Sequence, residues 1–133
     1  MQYVDSSALA KRYVSEPDSN QAIRLLDADL DWVTSAVTEV EVRRVLTVRL
    51  PADQVAASRS AFLRDWERIA VVAADATTLG LAASLAEATG ARTLDAVHLA
   101  SAGRVSSRSM RVVTFDVRMA AVARALGLTV VGA

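Results

Sequence analysis

An α/β fold, a three-layer α/β/α sandwich with a central parallel sheet, is what this sequence predicts, and three observations carry it. Short runs of strand formers alternate with one or more helical patterns along the whole chain, the order expected of a parallel sheet covered on both faces. Apolar residues make up 53% and charged residues 23%, with five Gly and two Pro, the composition of a compact, helix-rich protein. The length of 133 residues fits one domain, spanning 1–133, with a full hydrophobic core.

The elements follow in order. Residues 1–4 form an apolar strand that runs into Asp5, and residues 6–14 read as a helix that Ser6 or Ser7 can cap. Glu16, Pro17, Asp18 and Ser19 break it, and a second helix runs from about 19 to 28 with Ile23, Leu25 and Leu26 apolar. After a polar turn at 29–31, residues 32–34 make a short strand. Ser35 is placed to cap a helix that runs to about 50 and stops at Pro51. Residues 53–68 form another, carrying Val55, Phe62, Leu63 and Trp66, and residues 69–72 are strand formers. A helix over 75–88 ends at Gly90, and a further helix covers 93–103. Residues 111–115 make a strand with Asp116 directly after it, a helix over 117–126 stops at Gly127, and residues 128–131 form the last strand.

Charge and composition exclude several classes of function. Fifteen basic and fifteen acidic side chains cancel, so no global field draws the protein to nucleic acid or membrane and any such contact must be local. The absence of cysteine removes disulfides, thiolate metal sites and a cysteine nucleophile. No window holds eighteen uncharged apolar residues and the first residues do not resemble a secretion signal, so a cytoplasmic protein with no membrane partner is expected.

The carboxylates carry the chemistry. In an open α/β sheet ligands bind beyond the carboxyl ends of the strands. Asp5 and Asp116 share that context, strand then acid then helix, and each can equally be a helix cap. Glu41 is read as lying on an apolar stripe with Val37, Val45 and Val48 and beside Val40, so that it needs a partner or a metal; a salt bridge with Arg44 is the plain alternative. Asp95 sits in the first turn of a helix whose neighbours Leu94, Ala96, Val97, Leu99 and Ala100 are apolar. Were the four to converge, their repulsion would call for a hard divalent cation such as Mg²⁺ or Mn²⁺. Such an ion can activate water and neutralise charge on a phosphodiester.

These residues bring a family into view. Val4-Asp5-Ser6-Ser7-Ala8-Leu9, the helix bearing Glu41, the run Thr93-Leu94-Asp95-Ala96-Val97-His98-Leu99-Ala100 and the run Val113-Thr114-Phe115-Asp116 resemble the PIN-domain ribonucleases, specifically VapC-type toxins of toxin–antitoxin pairs. The resemblance covers essentially the whole chain. It implies that Asp5, Glu41, Asp95 and Asp116 hold Mg²⁺ or Mn²⁺, with Thr114 and Ser6 as supporting hydroxyls. It also implies cleavage of single-stranded or loop RNA, commonly tRNA or ribosomal RNA, leaving 5′-phosphate and 3′-hydroxyl ends. A cognate antitoxin that covers the cleft and a homodimeric assembly complete the expectation.

Other side chains receive plainer readings. His98, the only histidine, is expected to pack in a buried helix rather than to touch substrate, and no Ser-His-Asp relay or glycine-rich phosphate loop is present. Lys11, Arg12, Arg43, Arg44, Arg49, Arg92 and Arg118 fall near the motifs and suit phosphate, though a solvated surface role is the commoner one. Trp32 and Trp66 read as packing residues. Two rivals stand beside the nuclease: a catalytically inactive PIN-fold binding module whose acids are only caps, and a phosphoacceptor domain. The second needs paired acids after the first strand and a lysine near the last, where this chain has serines and only Lys11.

Overall fold

A computed structural model describes all residues 1–133. Five short strands, β1 (Gln2–Val4), β2 (Trp32–Ser35), β3 (Ala70–Val72), β4 (Arg111–Thr114) and β5 (Thr129–Gly132), form one sheet in the order β3-β2-β1-β4-β5. Every pairing is parallel. Seven helices connect them: α1 (Ser6–Ala10), α2 (Ser19–Asp27), α3 (Val37–Arg49), α4 (Ala52–Trp66), α5 (Ala76–Thr89), α6 (Thr93–Val105) and α7 (Val117–Ala125). The expected α/β/α sandwich with a parallel sheet is the fold observed.

Strand periodicity sorts the core into two layers, because successive side chains leave a strand on opposite faces. Val4, Trp32 and Val113 pack with Leu9, Leu26, Val42, Leu46 and Phe62 from the first four helices. Tyr3, Val33 and Val112 face the other way, onto Leu99 and Ala102 of α6 and Met119 and Ala123 of α7. Truncating a fully buried Leu in such a core costs about 2–5 kcal/mol. The buried amide of Gln2 donates to the carbonyls of Leu25, Leu26 and Asp29, which ties the end of α2 to the first strand.

Element boundaries differ from the sequence reading where side chains compete for caps. The first helix ends at Ala10 rather than Val14; beyond it Arg12 and Tyr13 donate to the carbonyls three residues back, a tighter turn than an α-helix. Its cap is Asp5, which accepts from the Ala8 N–H at 3.0 Å, rather than Ser6 or Ser7. Ser35 lies at the end of β2 and Ala36 is the N-cap position of α3, but Ser35 Oγ accepts from the Val37 N–H at 3.4 Å. Gly90 ends α5 in the left-handed conformation, as expected for that residue.

The strand order sets the site. The chain leaves β1 in one direction through β2 and β3, then returns across it to β4 on the other side. The crevice between the carboxyl ends of β1 and β4 is therefore the point where the connections part. Gly132 guards the neighbouring edge: at φ 109° its Cα packs against the Thr114 carbonyl, so an added Cβ would strike backbone. Gly132→Ala is expected to lose about 1–3 kcal/mol in urea unfolding. Gly80→Ala, on the open surface of α5 with nothing near the new methyl, is expected to gain about 0.5–1 kcal/mol.

Candidate active site

Asp5 follows β1 directly and is almost fully buried, with 2% of its surface exposed. A carboxylate so placed needs donors. Ala8 N–H reaches Oδ1 at 3.0 Å, Thr114 Oγ1 donates to Oδ2 at 2.6 Å, and Ser7 Oγ lies 2.8 Å from Oδ1. The same two hydroxyls also accept, Thr114 from the Asp116 N–H at 3.1 Å and Ser7 from the Phe115 N–H at 2.8 Å. One hydrogen-bonded lattice thus sews the β1–α1 junction to the β4–α7 junction. Burial pushes the Asp5 carboxyl above its usual range, against the charge of His98 and the bonds from Thr114, Ala8 and Ser7.

Asp116 caps α7, where Oδ1 accepts from the N–H groups of Arg118 and Met119 at 2.9 and 3.0 Å. Its Oδ2 accepts from Arg92 Nη2 at 2.6 Å. Burial works to raise this carboxyl, but the Met119 N–H and Arg92 outweigh it and hold it below the usual range. The other side of the same guanidinium, Nε, donates to Asp95 Oδ2 at 2.6 Å. Arg92 therefore joins the first turn of α6 to the cap of α7.

Glu41 arrives from the opposite layer. The ring of His98, buried in α6, approaches Glu41 Oε1 with Nε2 at 2.6 Å and the Tyr3 hydroxyl with Nδ1 at 2.9 Å. Nε2–H donates to Glu41 in either protonation state; Tyr3 donates to Nδ1 when the ring is neutral and accepts from it when charged. Burial pulls the imidazole pKa down, but the Glu41 bond and charge, with Asp5 and Asp95 nearby, carry it above its ordinary value.

The structure accordingly brings Asp5, Glu41, Asp95 and Asp116 to one edge, joined by bridging groups rather than touching. No three acid or imidazole groups converge closely enough, as they stand, to clasp one ion. The donor chemistry nevertheless suits a hard cation. All four are carboxylates, Asp5 is buried with only hydroxyl and amide partners, and neither Asp95 Oδ1 nor Glu41 Oε2 has a protein partner.

Several expectations change. The hydroxyl that meets Asp5 is Ser7, not Ser6, because Ser7 also bridges to β4. The stripe assigned to Glu41 is not the buried face of α3: Val40 and Val48 are 71% and 61% exposed, and Thr38, Val42 and Leu46 are buried instead. Glu41 flanks that face, its side chain 22% exposed, and pairs with His98 and not Arg44. His98 does pack in the core, but it also tethers Glu41, a role the sequence reading missed although Asp95 and His98 stand three apart on one helix. Trp32 and Trp66 pack against the core as expected.

Comparison with known proteins places these observations. The PIN domain model matches residues 2–125. Ribonuclease VapC46 of Mycobacterium tuberculosis is 36% identical over 129 residues, 97% of this chain and 95% of that protein. Among solved structures, VapC20 of M. tuberculosis, a sarcin-ricin loop cleaving toxin, aligns with a TM-score of 0.75 at 19% identity over 91% of this chain and 94% of that one. FitAcB from Neisseria gonorrhoeae aligns with a TM-score of 0.71 at 20% identity, covering 98% and 96%.

A raised folded-state pKa means the His98 contribution is complete below the unfolded value near 6.5 and fades as pH rises through the folded value. In EDTA, the gap in unfolding temperature between wild type and His98→Gln is expected to be larger at pH 6 than at pH 8.5. An equal gap at both would show that the imidazole is not held charged by Glu41.

Proposed function

The chain belongs to the PIN-domain family, and from that premise we propose that it is a divalent-metal-dependent endoribonuclease toxin that hydrolyses RNA phosphodiester bonds and is silenced by a cognate antitoxin protein. The observation that carries the reading is the meeting of Asp5, Glu41, Asp95 and Asp116 at the edge where the connections part. Those four carboxylates are the residues proposed to hold Mg²⁺ or Mn²⁺, with Thr114 and Ser7 as supporting hydroxyls. When bound, the cation supplies charge neutralisation at a phosphodiester oxygen and a more acidic water.

The chain's own groups do the positioning. Thr114, Ser7 and Ala8 fix Asp5 in one rotamer, and the first turn of α7 fixes Asp116 with its N–H groups and dipole. His98 holds Glu41 by Oε1 and leaves Oε2 open to take a proton from the attacking water. With no net charge on the protein, phosphate must be met locally. A groove lined by Ser7, Lys11, Val45 and Arg49 runs from the Asp5 lattice into a second one that carries Arg24. Neither Arg24 nor Arg49 forms an ion pair, whereas Lys11 is held by Glu16 and Asp18 and Arg12 by Asp27 and Asp65. These two free forks suit a single-stranded RNA backbone, with tRNA or ribosomal RNA as the substrate and a homodimer as the assembly.

Purified protein is expected to cut single-stranded RNA with Mg²⁺ or Mn²⁺ and to stop in EDTA, leaving 5′-phosphate and 3′-hydroxyl ends. Asp5→Asn and Asp116→Asn, checked for folding by circular dichroism, are each expected to lower the rate by roughly a hundredfold or more. Cleavage that persists in EDTA or in Asp5→Asn refutes the mechanism.

A further inference from the structure

Arg92 is misplaced by simple electrostatics. It is the N-cap residue of α6, where the helix end carries partial positive charge and a cation is disfavoured, and it makes no side-chain cap bond. Two carboxylates hold it there. Nε and Nη2 each donate at 2.6 Å, one to Asp95 and the other to Asp116. Both acceptors are among the residues assigned to the metal above, so this inference rests on that reading. The guanidinium lies between them and satisfies one oxygen of each.

Its side chain is 49% exposed, so it can leave the pair for solvent without unfolding anything. The arginine side of the pair is open to water while Asp95 and Asp116 are 15% and 31% exposed, so a divalent cation can compete for their oxygens as Arg92 moves into solvent. Once freed, the planar fork suits a phosphate by the same bidentate geometry that now serves the acids.

We infer that Arg92 is the site's built-in counter-ion. It takes the cation's place between Asp95 and Asp116 in the metal-free protein, and turns its guanidinium to the RNA phosphate when a divalent cation neutralises them. In the structure a side chain of the protein stands between two of the four carboxylates.

The test is Mn²⁺ titration calorimetry on the full chain without RNA, comparing wild type with Arg92→Gln and Arg92→Lys. Arg92→Gln is expected to bind Mn²⁺ roughly three- to tenfold more tightly, because the competitor is gone, and its metal-free form to unfold at lower temperature. Arg92→Lys keeps the charge and is expected to stay near wild type in Mn²⁺ affinity. At saturating Mn²⁺, both variants are expected to show a raised KM for RNA, since neither offers a bidentate fork. Unchanged or weaker Mn²⁺ binding by Arg92→Gln overturns the counter-ion role, and an unchanged KM overturns the transfer to phosphate. Wild-type protein that neither binds Mn²⁺ nor cuts RNA overturns the nuclease reading along with this one. Wild-type protein that does both, beside an Arg92→Gln of unaltered affinity, overturns this inference alone.

Discussion

Parallel pairing of all five strands is the constraint from which the rest of the molecule follows. Parallel neighbours need a crossover, and the crossovers here are helices that run back against the strands. Helices α1, α3 and α7 leave the carboxyl ends of β1, β2 and β4, while α6 runs back to deliver β4 and so begins at the same edge. Four helix N-termini therefore crowd one side of the sheet. Each offers N–H groups and a partial positive charge; Asp5, Asp95 and Asp116 stand at three of these ends, while Glu41 lies a turn further along α3. An edge built in this way is a place where carboxylates can gather at lower cost than elsewhere in the fold.

That edge also bears on a choice which the sequence leaves open. Asp5 and Asp116 can be read as helix caps or as site residues; the structure makes them caps, and capping occupies only part of each carboxylate. A carboxylate has two oxygens and about four lone-pair positions, and a cap uses only part of that capacity. For Asp116 the remainder goes to Arg92, and for Asp5 to Thr114 and Ser7. Capping fixes where each acid sits and leaves its second oxygen to side-chain donors.

How much of this was legible in the sequence depends on the distance over which each feature is decided. Strand and helix order are local, and the apolar runs with Pro51, Gly90 and Gly127 as stops located nearly every element. The positions of Asp5, Asp95 and Asp116 were legible as well, since each is fixed by a strand end or a first helical turn. Glu41 was found for a mistaken reason. Its helix has no clean apolar stripe, because Thr38 is buried by a bond to Thr34 while Val40 and Val48 face solvent. Side-chain hydrogen bonding overrode hydrophobic periodicity there. The roles of Ser7, His98 and Tyr3 were hidden because each is decided by a partner far along the chain. Ser7 meets β4, and Tyr3 meets His98 across 95 positions.

The links among the acids show how the chain's own groups offset the repulsion at this edge. Four carboxylates sharing one region repel one another, and the cost rises as water is excluded. The chain distributes that cost among three kinds of partner: hydroxyls and an amide on Asp5, an imidazole on Glu41, and a guanidinium on Asp95 and Asp116. The partners are not equally tied. Thr114 on Asp5 and His98 on Glu41 are buried and belong to the packed layers, and Ser7 is half-buried between them and solvent. Arg92 alone is open to solvent. The edge is consequently held by the core at Asp5 and Glu41 and by a solvent-exposed side chain at Asp95 and Asp116.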